Sequence, residues 1–334
     1  MRQYLGIDVG TSGCRACVID EQADILAEAA VGLPAPLTRD GISEQDGELW
    51  WQALCQLLDD LSRRTPLAGI AAISLDGTSS TLLCCSEDGT PLAPALMYND
   101  ARSTAEAASI AGIAPATSGA HGASSSLAKL LFLQSHGLTT DATHALHQAD
   151  WLLGRLAGRY GVTDENNALK LGYDPVQRCW PGWLDALDLD RRLLPRVVAP
   201  GQATGTLDDR WRQRWGFSET THIVSGTTDS TAAFLATGAA PGEAVTSLGS
   251  TLVLKVYTDR PVFEPRHGIY SHRLGDLWLA GGASNSGGTV LRQYFSPDEI
   301  ASLTRQLRPS IPTGLDYYPC LLYTSDAADE YNPV

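Results

Sequence analysis

Basic residues are scarce in this sequence: 24 lysines and arginines stand against 38 aspartates and glutamates, and the formal net charge is −14. Three of these negative charges belong to Asp326, Asp329 and Glu330 near the C-terminus, which leaves −11 for the rest of the chain. No basic patch offsets this acidity. The balance argues against nucleic acids and anionic membranes as partners, and any phosphate binding must therefore be local.

Long apolar segments are also missing. No run approaches the roughly 18 residues that a membrane span needs, and the N-terminus enters a predicted strand without the apolar stretch of a signal peptide. A cytoplasmic location is therefore expected. With 334 residues and 43% hydrophobic content, the chain can bury a large core and should form two domains rather than one.

Cysteine and histidine carry little recognisable chemistry. Cys14 and Cys17 are separated by two residues, but no second such pair follows, and both fall in a predicted strand, where residues three apart face opposite sides. We interpret them as small buried residues rather than metal or redox ligands. His144 and His147 are assigned to one face of a predicted helix without an acidic or cysteine partner, which favours structural histidines.

The most informative segment is YLGIDVGTSG, residues 4–13. Its apolar residues have the composition of a buried strand, and Gly10 and Gly13 permit a tight turn close to a ligand. Backbone N–H groups and the hydroxyls of Thr11 and Ser12 can converge on phosphate oxygens, while Asp8 can hold Mg²⁺ directly or through water. Taken alone, the pattern is equally typical of an ordinary hairpin turn.

The residues that follow predict a β-meander, a helix and a returning strand. Strands are predicted over 14–20 and 25–31, and a helix opens within 43–51. An apolar strand over 69–75 then ends in a second polar loop, 76–80, at the kind of strand end where α/β sheets bind ligands. Residues at helical spacing share one apolar face of the helix: Trp50, Ala53, Leu54, Leu57, Leu58 and Leu61.

Six ordered motifs resemble those of the FGGY carbohydrate kinases, a family of the actin, hexokinase and Hsp70 superfamily. Within the family they are most similar to D-ribulose kinases, often called xylulose kinase-like. The motifs are GIDVGTS (6–12), DGTS (76–79), NALKLGY (167–173), GTTDS (226–230), TSLGST (246–251) and GGASNSGG (281–288). The resemblance implies an α/β fold with two ribonuclease-H-like domains around a cleft: a sugar-binding domain over 1–238 and a nucleotide-binding domain over 239–319.

The last residues break this resemblance. The segment CLLYTSDAADE (320–330) looks like the in-frame translation of a transposase adapter used in DNA library preparation, and it interrupts the family-like run GLDYYP (314–319). We therefore expect 320–334 to be a non-native tail. The second domain would then be incomplete, since 239–319 is only 81 residues, and it would lack the family's adenosine-binding loop.

The resemblance also implies catalytic roles. Asp229 falls between a predicted strand (222–225) and a predicted helix (231–236) and matches the family's general base, with a helix N-cap as the structural alternative. Asp8 matches the Mg²⁺ ligand next to the substrate. The positions that match ATP-phosphate contacts are Gly10, Thr11, Ser12 and Gly13 in the first domain and Gly249, Ser250 and Thr251 in the second.

Sugar binding is implied at fewer positions. Ser79 matches a family position that contacts D-ribulose, Asp76 in the same loop can support it, and Asp8 and Asp229 complete the substrate set. Asp100 and Arg102 stand where many relatives bind substrate through an acidic and a basic side chain, although a surface ion pair between them is equally compatible with the sequence. Trp50 and Trp51 could supply a stacking face for the sugar, although the helical stripe makes core packing the expected role of Trp50.

These expectations define an ATP- and Mg²⁺-dependent kinase that converts D-ribulose to D-ribulose 5-phosphate, with D-xylulose as the alternative substrate. A monomer or a homodimer is expected. Two other classes stay open: a nucleotide switch similar to actin or Hsp70, and a sugar-binding fragment without catalysis. Sugar-dependent turnover of ATP would distinguish them.

Overall fold

The computed structural model describes residues 2–248, 252–284, 288–308 and 310–311. The chain divides into two compact units. One unit consists of Met1–Ala236 and His272–Gly275, and the other of Thr237–Ser271 and Asp276–Val334. The predicted site residues of the first domain all belong to the first unit.

The described residues form both strands and helices. The strands are β1 (Gln3–Val9), β2 (Gly13–Asp20), β3 (Ile25–Gly32), β4 (Leu37–Arg39), β5 (Ile42–Gln45), β6 (Ile70–Gly77), β7 (Leu82–Cys85), β8 (Ala95–Leu96), β9 (His144–His147), β10 (Val162–Asp164), β11 (Arg196–Val198), β12 (Ala203–Thr206), β13 (His222–Val224), β14 (Thr227–Thr228), β15 (Ala244–Leu248), β16 (Leu252–Thr258), β17 (Tyr270–Leu274) and β18 (Leu277–Ser284).

The α-helices are α1 (Gly47–Arg64), α2 (Thr104–Ala111), α3 (Ser126–Ser135), α4 (Gln148–Ala157), α5 (Glu165–Ala168), α6 (Asp209–Trp215), α7 (Asp229–Leu235), α8 (Thr289–Arg292) and α9 (Pro297–Thr304). Short 3₁₀ segments lie at Leu67–Gly69, Leu169–Leu171, Gly182–Ala186, Arg191–Leu193 and Pro265–His267. Within the described part of the chain, none of the helices combines the length and the apolar character of a membrane span.

The central sheet of the first unit has the strand order β12-β13-β6-β1-β2-β3, with β14 also paired to β6. The meander β1-β2-β3 is antiparallel, as predicted, whereas β6 runs parallel to β1, β13 and β14. Parallel strands end at the same edge of a sheet. The carboxyl ends of β1, β6 and β14 therefore meet at one edge, and this edge carries the predicted site.

The helix α1 supplies much of the core behind this sheet. Its predicted apolar stripe is confirmed, because all six of its residues are buried. Trp50 is completely buried, packs edge-on against Trp151 with 6.3 Å between ring centroids, and donates from its indole N–H to the side chain of Gln45. Trp50 is thus a core residue, as expected, rather than a stacking surface for sugar.

Several predicted boundaries shift. The helix begins at Gly47, capped by the side chain of Asp46, whereas residues 43–45 belong to β5. Asp76 is still within β6, so the second polar loop starts two residues later than predicted. The prediction of a helix at His144 and His147 is wrong: both lie in β9, where residues three apart face opposite sides. Their spacing fits a helix equally well, and only pairing with β7 decides.

The second unit contains strands of a separate four-stranded sheet with the order β15-β16-β18-β17. Strands β15 and β16 pair in antiparallel fashion, and β18 continues to Ser284.

Candidate active site

Three carboxylates gather at the carboxyl edge of the central sheet. Asp8 near the end of β1 lies directly beside Asp76 near the end of β6, and Asp76 in turn lies beside Thr227 of β14. Two residues later, Asp229 is the first residue of α7. Parallel pairing therefore brings Asp8, Asp76 and Asp229, which are far apart in the sequence, to one place.

The electrostatics of Asp76 show how crowded this edge is. Burial first, then the charges of Asp8 and Asp229 and a hydrogen bond to Asp8, together raise the pKa of Asp76 to about 8. At neutral pH Asp76 thus retains a proton that it can donate to Asp8. Arg15 on β2 pairs with Asp8 at 3.0 Å, but this pair is exposed and offsets little of the negative charge.

A divalent cation fits this arrangement. Mg²⁺ prefers oxygen ligands and usually keeps several waters, so one or two carboxylates suffice to hold it. Asp8 is 37% exposed and lines a cleft of about 520 Å³ together with Asp76, which leaves room for a hydrated ion. Within the described residues, no cluster of three or more acidic, histidine or cysteine side chains is arranged to enclose a metal.

The turn between β1 and β2 has the predicted form. The N–H of Gly10 donates to the carbonyl of Gly13 at 3.1 Å, and between them Thr11 is half-buried and Ser12 is exposed. Gly13 is required by close packing, because a Cβ there would lie 2.7 Å from the carbonyl oxygen of Val31. The two hydroxyl groups follow directly on the strand that carries Asp8.

Asp229 is not the cap of its helix. The N-cap of α7 is Thr228, and Asp229 is the first helical residue, where its Oδ1 accepts a hydrogen bond from the N–H of Ser230 at 2.6 Å. An acidic residue in a first helical turn is favourable in any helix. Its place beside Asp76 is the feature that goes beyond helix stabilisation.

Gly226 fixes the approach of this loop to β6. A Cβ at position 226 would lie 1.7 Å from the carbonyl oxygen of Leu75, which is backbone and has no room to yield. The chain can therefore pass β6 at this distance only with glycine.

We expect Gly226→Ala to lower the free energy of unfolding by about 2 kcal/mol, because the loop must move away from β6. Chemical denaturation monitored by tryptophan fluorescence would measure this change. Gly182→Ala is the control, since a Cβ at Gly182 meets no atom within 4 Å. Equal stability of the two variants would contradict this account of Gly226.

The loop after Asp76 is held by buried polar side chains. Gln148 accepts hydrogen bonds from the backbone N–H of Thr78 at 3.1 Å and from its hydroxyl at 2.9 Å. Ser80 has a positive φ of 67°, and its carbonyl accepts from the buried ammonium group of Lys129 at 2.9 Å. Ser79, the predicted sugar contact, lies between these two anchored residues and is half-buried.

Asp100 and Arg102 pair with each other, the alternative that the sequence left open. The Nη2 atom of Arg102 lies 2.7 Å from Oδ2 of Asp100 and 2.9 Å from Oε2 of Glu44. The pair is not on the surface as expected, because Asp100 is completely buried and also accepts from the N–H of Ser43 at 2.7 Å. Asp100 is thus engaged within the fold.

One histidine has an acidic partner that the sequence did not reveal. His147 lies 3.2 Å from Asp150 through Nδ1 and 2.9 Å from the hydroxyl of Ser126 through Nε2. This chain of hydrogen bonds from acid to histidine to serine resembles a hydrolase triad. However, Ser126 and His147 have no exposed surface, and no substrate can reach them. Cys14 is buried as predicted, and burial raises its pKa to about 12, whereas the prediction is wrong for Cys17, which is only half-buried.

The nucleotide side of the predicted site is only partly visible. Gly249, Ser250 and Thr251 lie outside the described residues, so their role stays a prediction. Of the motif at 281–288, residues 281–284 end β18 and residues 285–287 are likewise outside the described part.

The strand order, the parallel pairing of β1 with β6 and the carboxylates at their common edge define an α/β protein of the actin and hexokinase class. The chain belongs to the FGGY family of carbohydrate kinases, whose N-terminal domain model matches residues 3–236.

Two relatives illustrate the similarity. The xylulose kinase of Streptomyces rubiginosus is 32% identical over 294 residues, which are 82% of this chain and 58% of the relative. The xylulose kinase of Escherichia coli K12 is 27% identical over 341 residues, which are 98% of this chain and 66% of the relative. The chain thus spans less than two thirds of the length of these curated relatives.

Solved structures agree in fold. A xyloylose kinase from Brucella ovis superposes with a TM-score of 0.85 at 25% identity, covering 93% of this chain and 67% of that protein. Glycerol kinase from Plasmodium falciparum, solved with ADP, superposes with a TM-score of 0.79 at 17% identity, covering 92% of this chain and 67% of that protein. The second likeness concerns the fold alone.

Proposed function

We propose that this protein transfers the γ-phosphoryl group of ATP to a hydroxyl group of a ketopentose, with Mg²⁺. The observation that carries the proposal is the meeting of Asp8, Asp76 and Asp229 at one sheet edge, next to the turn that bears Thr11 and Ser12. Phosphoryl transfer needs a cation, phosphate contacts and a base for the hydroxyl proton, and this edge offers a residue for each.

In the proposed reaction, Asp229 accepts the proton of the attacking hydroxyl as the new phosphorus–oxygen bond forms and the bond to the β-phosphate breaks, so ADP leaves. Mg²⁺, when bound, neutralises the charge of the phosphate oxygens. Asp8 would hold the cation directly or through water, while Thr11 and Ser12 donate hydrogen bonds to phosphate. Ser79 binds a sugar hydroxyl and Asp76 supports it.

The identity of the ketose is the finer part of the proposal. The sequence analysis predicted D-ribulose with D-xylulose as the alternative, and the relatives named above are xylulose kinases, which favours D-xylulose. The assignment of 1–238 to sugar and 239–319 to nucleotide, the cytoplasmic location, and the monomeric or dimeric state belong to the same proposal.

A sugar panel tests the function. Because the chain spans less than two thirds of the two relatives, it should be assayed both as given and with residues 320–334 replaced by the C-terminal part of one of these relatives, here termed the extended chain. We expect sugar-dependent release of ADP by the extended chain, faster with D-xylulose or D-ribulose than with glycerol or gluconate. ATP turnover that does not respond to any sugar would instead support a nucleotide switch, and sugar binding without turnover a binding protein.

A further inference from the structure

Asn166 contacts both the loop that leads to Asp229 and the backbone of Arg273, which also belongs to the first unit. The residue lies in α5 and is only 1% exposed. Its Nδ2 donates to the hydroxyl of Thr227 at 3.0 Å, and its Oδ1 accepts from the backbone N–H of Arg273 at 3.1 Å. A backbone N–H can only donate, so the orientation of the amide is fixed: Oδ1 faces Arg273 and Nδ2 faces Thr227.

The position of Asn166 is itself determined by a buried carboxylate. Asp164 caps α5 by accepting from the N–H groups of Asn166 at 2.8 Å and Asn167 at 3.2 Å, and from the Asn167 side chain at 2.6 Å. Asp164 has no exposed surface. Because three donors converge on one buried carboxylate, the backbone of Asn166 is held in place independently of the contacts of its side chain.

The element that Asn166 contacts is short. Strand β14 contains only Thr227 and Thr228 and pairs with β6. Two ladder residues fix a strand weakly compared with the five or six of a typical strand. A side-chain hydrogen bond onto Thr227, opposite Asp76 and two residues before Asp229, therefore adds to the order of this segment, beside the close approach of Gly226 to Leu75 and the hydrogen bond between the hydroxyls of Thr228 and Thr231.

We propose that Asn166 is a positioning residue for Asp229, acting through the hydroxyl of Thr227. This inference depends on the proposed role of Asp229 as the base. Misplacing a catalytic group by about 1 Å can lower the rate of the chemical step by up to ~10²-fold. Asn166 does not itself contact the reacting atoms in this proposal, so its loss should lower kcat much more than it raises the KM for the sugar.

The kinetic test uses the extended chain. We expect Asn166→Ala and Thr227→Val each to lower kcat by about 10- to 100-fold while KM for the ketose changes by less than about threefold. The double variant should be no slower than the single ones, because both remove the same hydrogen bond. Thr227→Ser keeps the hydroxyl and should retain kcat within about threefold.

A matched control separates this role from general stability. Thr221→Val removes another completely buried hydroxyl, which donates to the carbonyl of Ile70 at 2.8 Å at the opposite end of β6. It should destabilise the protein comparably and leave kcat unchanged. Additive effects of Asn166→Ala and Thr227→Val, a kcat of Asn166→Ala within about twofold of the wild type, or an equally slow Thr227→Ser would overturn the proposal.

Hydrogen exchange on the chain as given provides a test without turnover. Peptides that cover 226–235 should exchange faster in Asn166→Ala and Thr227→Val than in the wild type, and at the wild-type rate in Thr221→Val. Unchanged exchange in Asn166→Ala and Thr227→Val would show that the hydrogen bond between Asn166 and Thr227 does not order this segment. If the extended wild-type chain phosphorylates no sugar, the proposed function fails, and exchange alone decides whether Asn166 orders this segment.

Discussion

Asp229→Asn in the extended chain is expected to lower kcat for ketopentose phosphorylation by ~10²- to 10⁴-fold, the usual cost of losing a positioned base. Asparagine has nearly the same shape as aspartate and its Oδ1 can still accept from the N–H of Ser230. The helix start should therefore persist, and the free energy of unfolding should change little. Steady-state kinetics at saturating ATP and Mg²⁺, with denaturation curves in parallel, would measure both quantities.

Asp209 offers a control in the same structural setting. It is the first residue of α6, a helix of 7 residues like α7, and its side chain is 79% exposed. Asp209→Asn therefore removes the same favourable charge from a first helical turn without touching the sheet edge. If Asp209→Asn and Asp229→Asn reduced kcat equally, or if Asp229→Asn remained near the wild-type rate, Asp229 would be a helix-stabilising residue and the assignment as base would fail.

Asp76→Asn is expected to stabilise the metal-free protein, increasingly so as the pH rises. The pKa of Asp76 is raised to about 8 by burial first and by Asp8 and Asp229 second. Between pH 4 and pH 8 the unfolded chain releases this proton while the folded protein retains it, so the wild type loses stability as the pH increases. Asparagine does not titrate and avoids this loss.

The gain from Asp76→Asn should be small near pH 4, grow through neutral pH and level off above pH 8. A shift of one pKa unit corresponds to 1.36 kcal/mol, and allowing for the coupling to Asp8 we expect on the order of 3 kcal/mol at pH 9. Urea denaturation with a chelator present, at several pH values, would measure it. The exposed Asp141→Asn is the control and should show no such trend. A gain that is absent at pH 9, or independent of pH, would contradict the assigned cause.

Much of the first unit could be predicted because the signals are local. Alternating burial along β1 and β2, and the stripe on α1, follow from residues two to four positions apart. Local patterns failed where the same spacing of residues fits both a helix and a strand. His144 and His147 fit a helix or a strand, and residues 43–45 fit a helix start or the short strand β5.

In the candidate site, too, local motifs indicated some features and only strand pairing revealed others. The sequence pointed to Asp8 and Asp229 through the motifs around them, and to Asp76 only as a supporting residue of a loop. It gave no sign that Asp76 lies within a strand between the other two carboxylates, because that placement depends on the pairing of β6 with both β1 and β14. Nor did it indicate the tie between Asn166 and Thr227, whose partners are 61 residues apart.

By itself, the sequence determined the meander β1-β2-β3, the apolar stripe of α1 and the position of the glycine turn, because these depend on neighbouring residues. Only the tertiary structure decided the burial of Asp100, the contact of His147 with Asp150 and Ser126, and the raised pKa of Asp76. The contacts of Asp100 with Ser43, of His147 with Ser126 and of Asp76 with Asp8 each join residues far apart in the chain, which local periodicity cannot reveal.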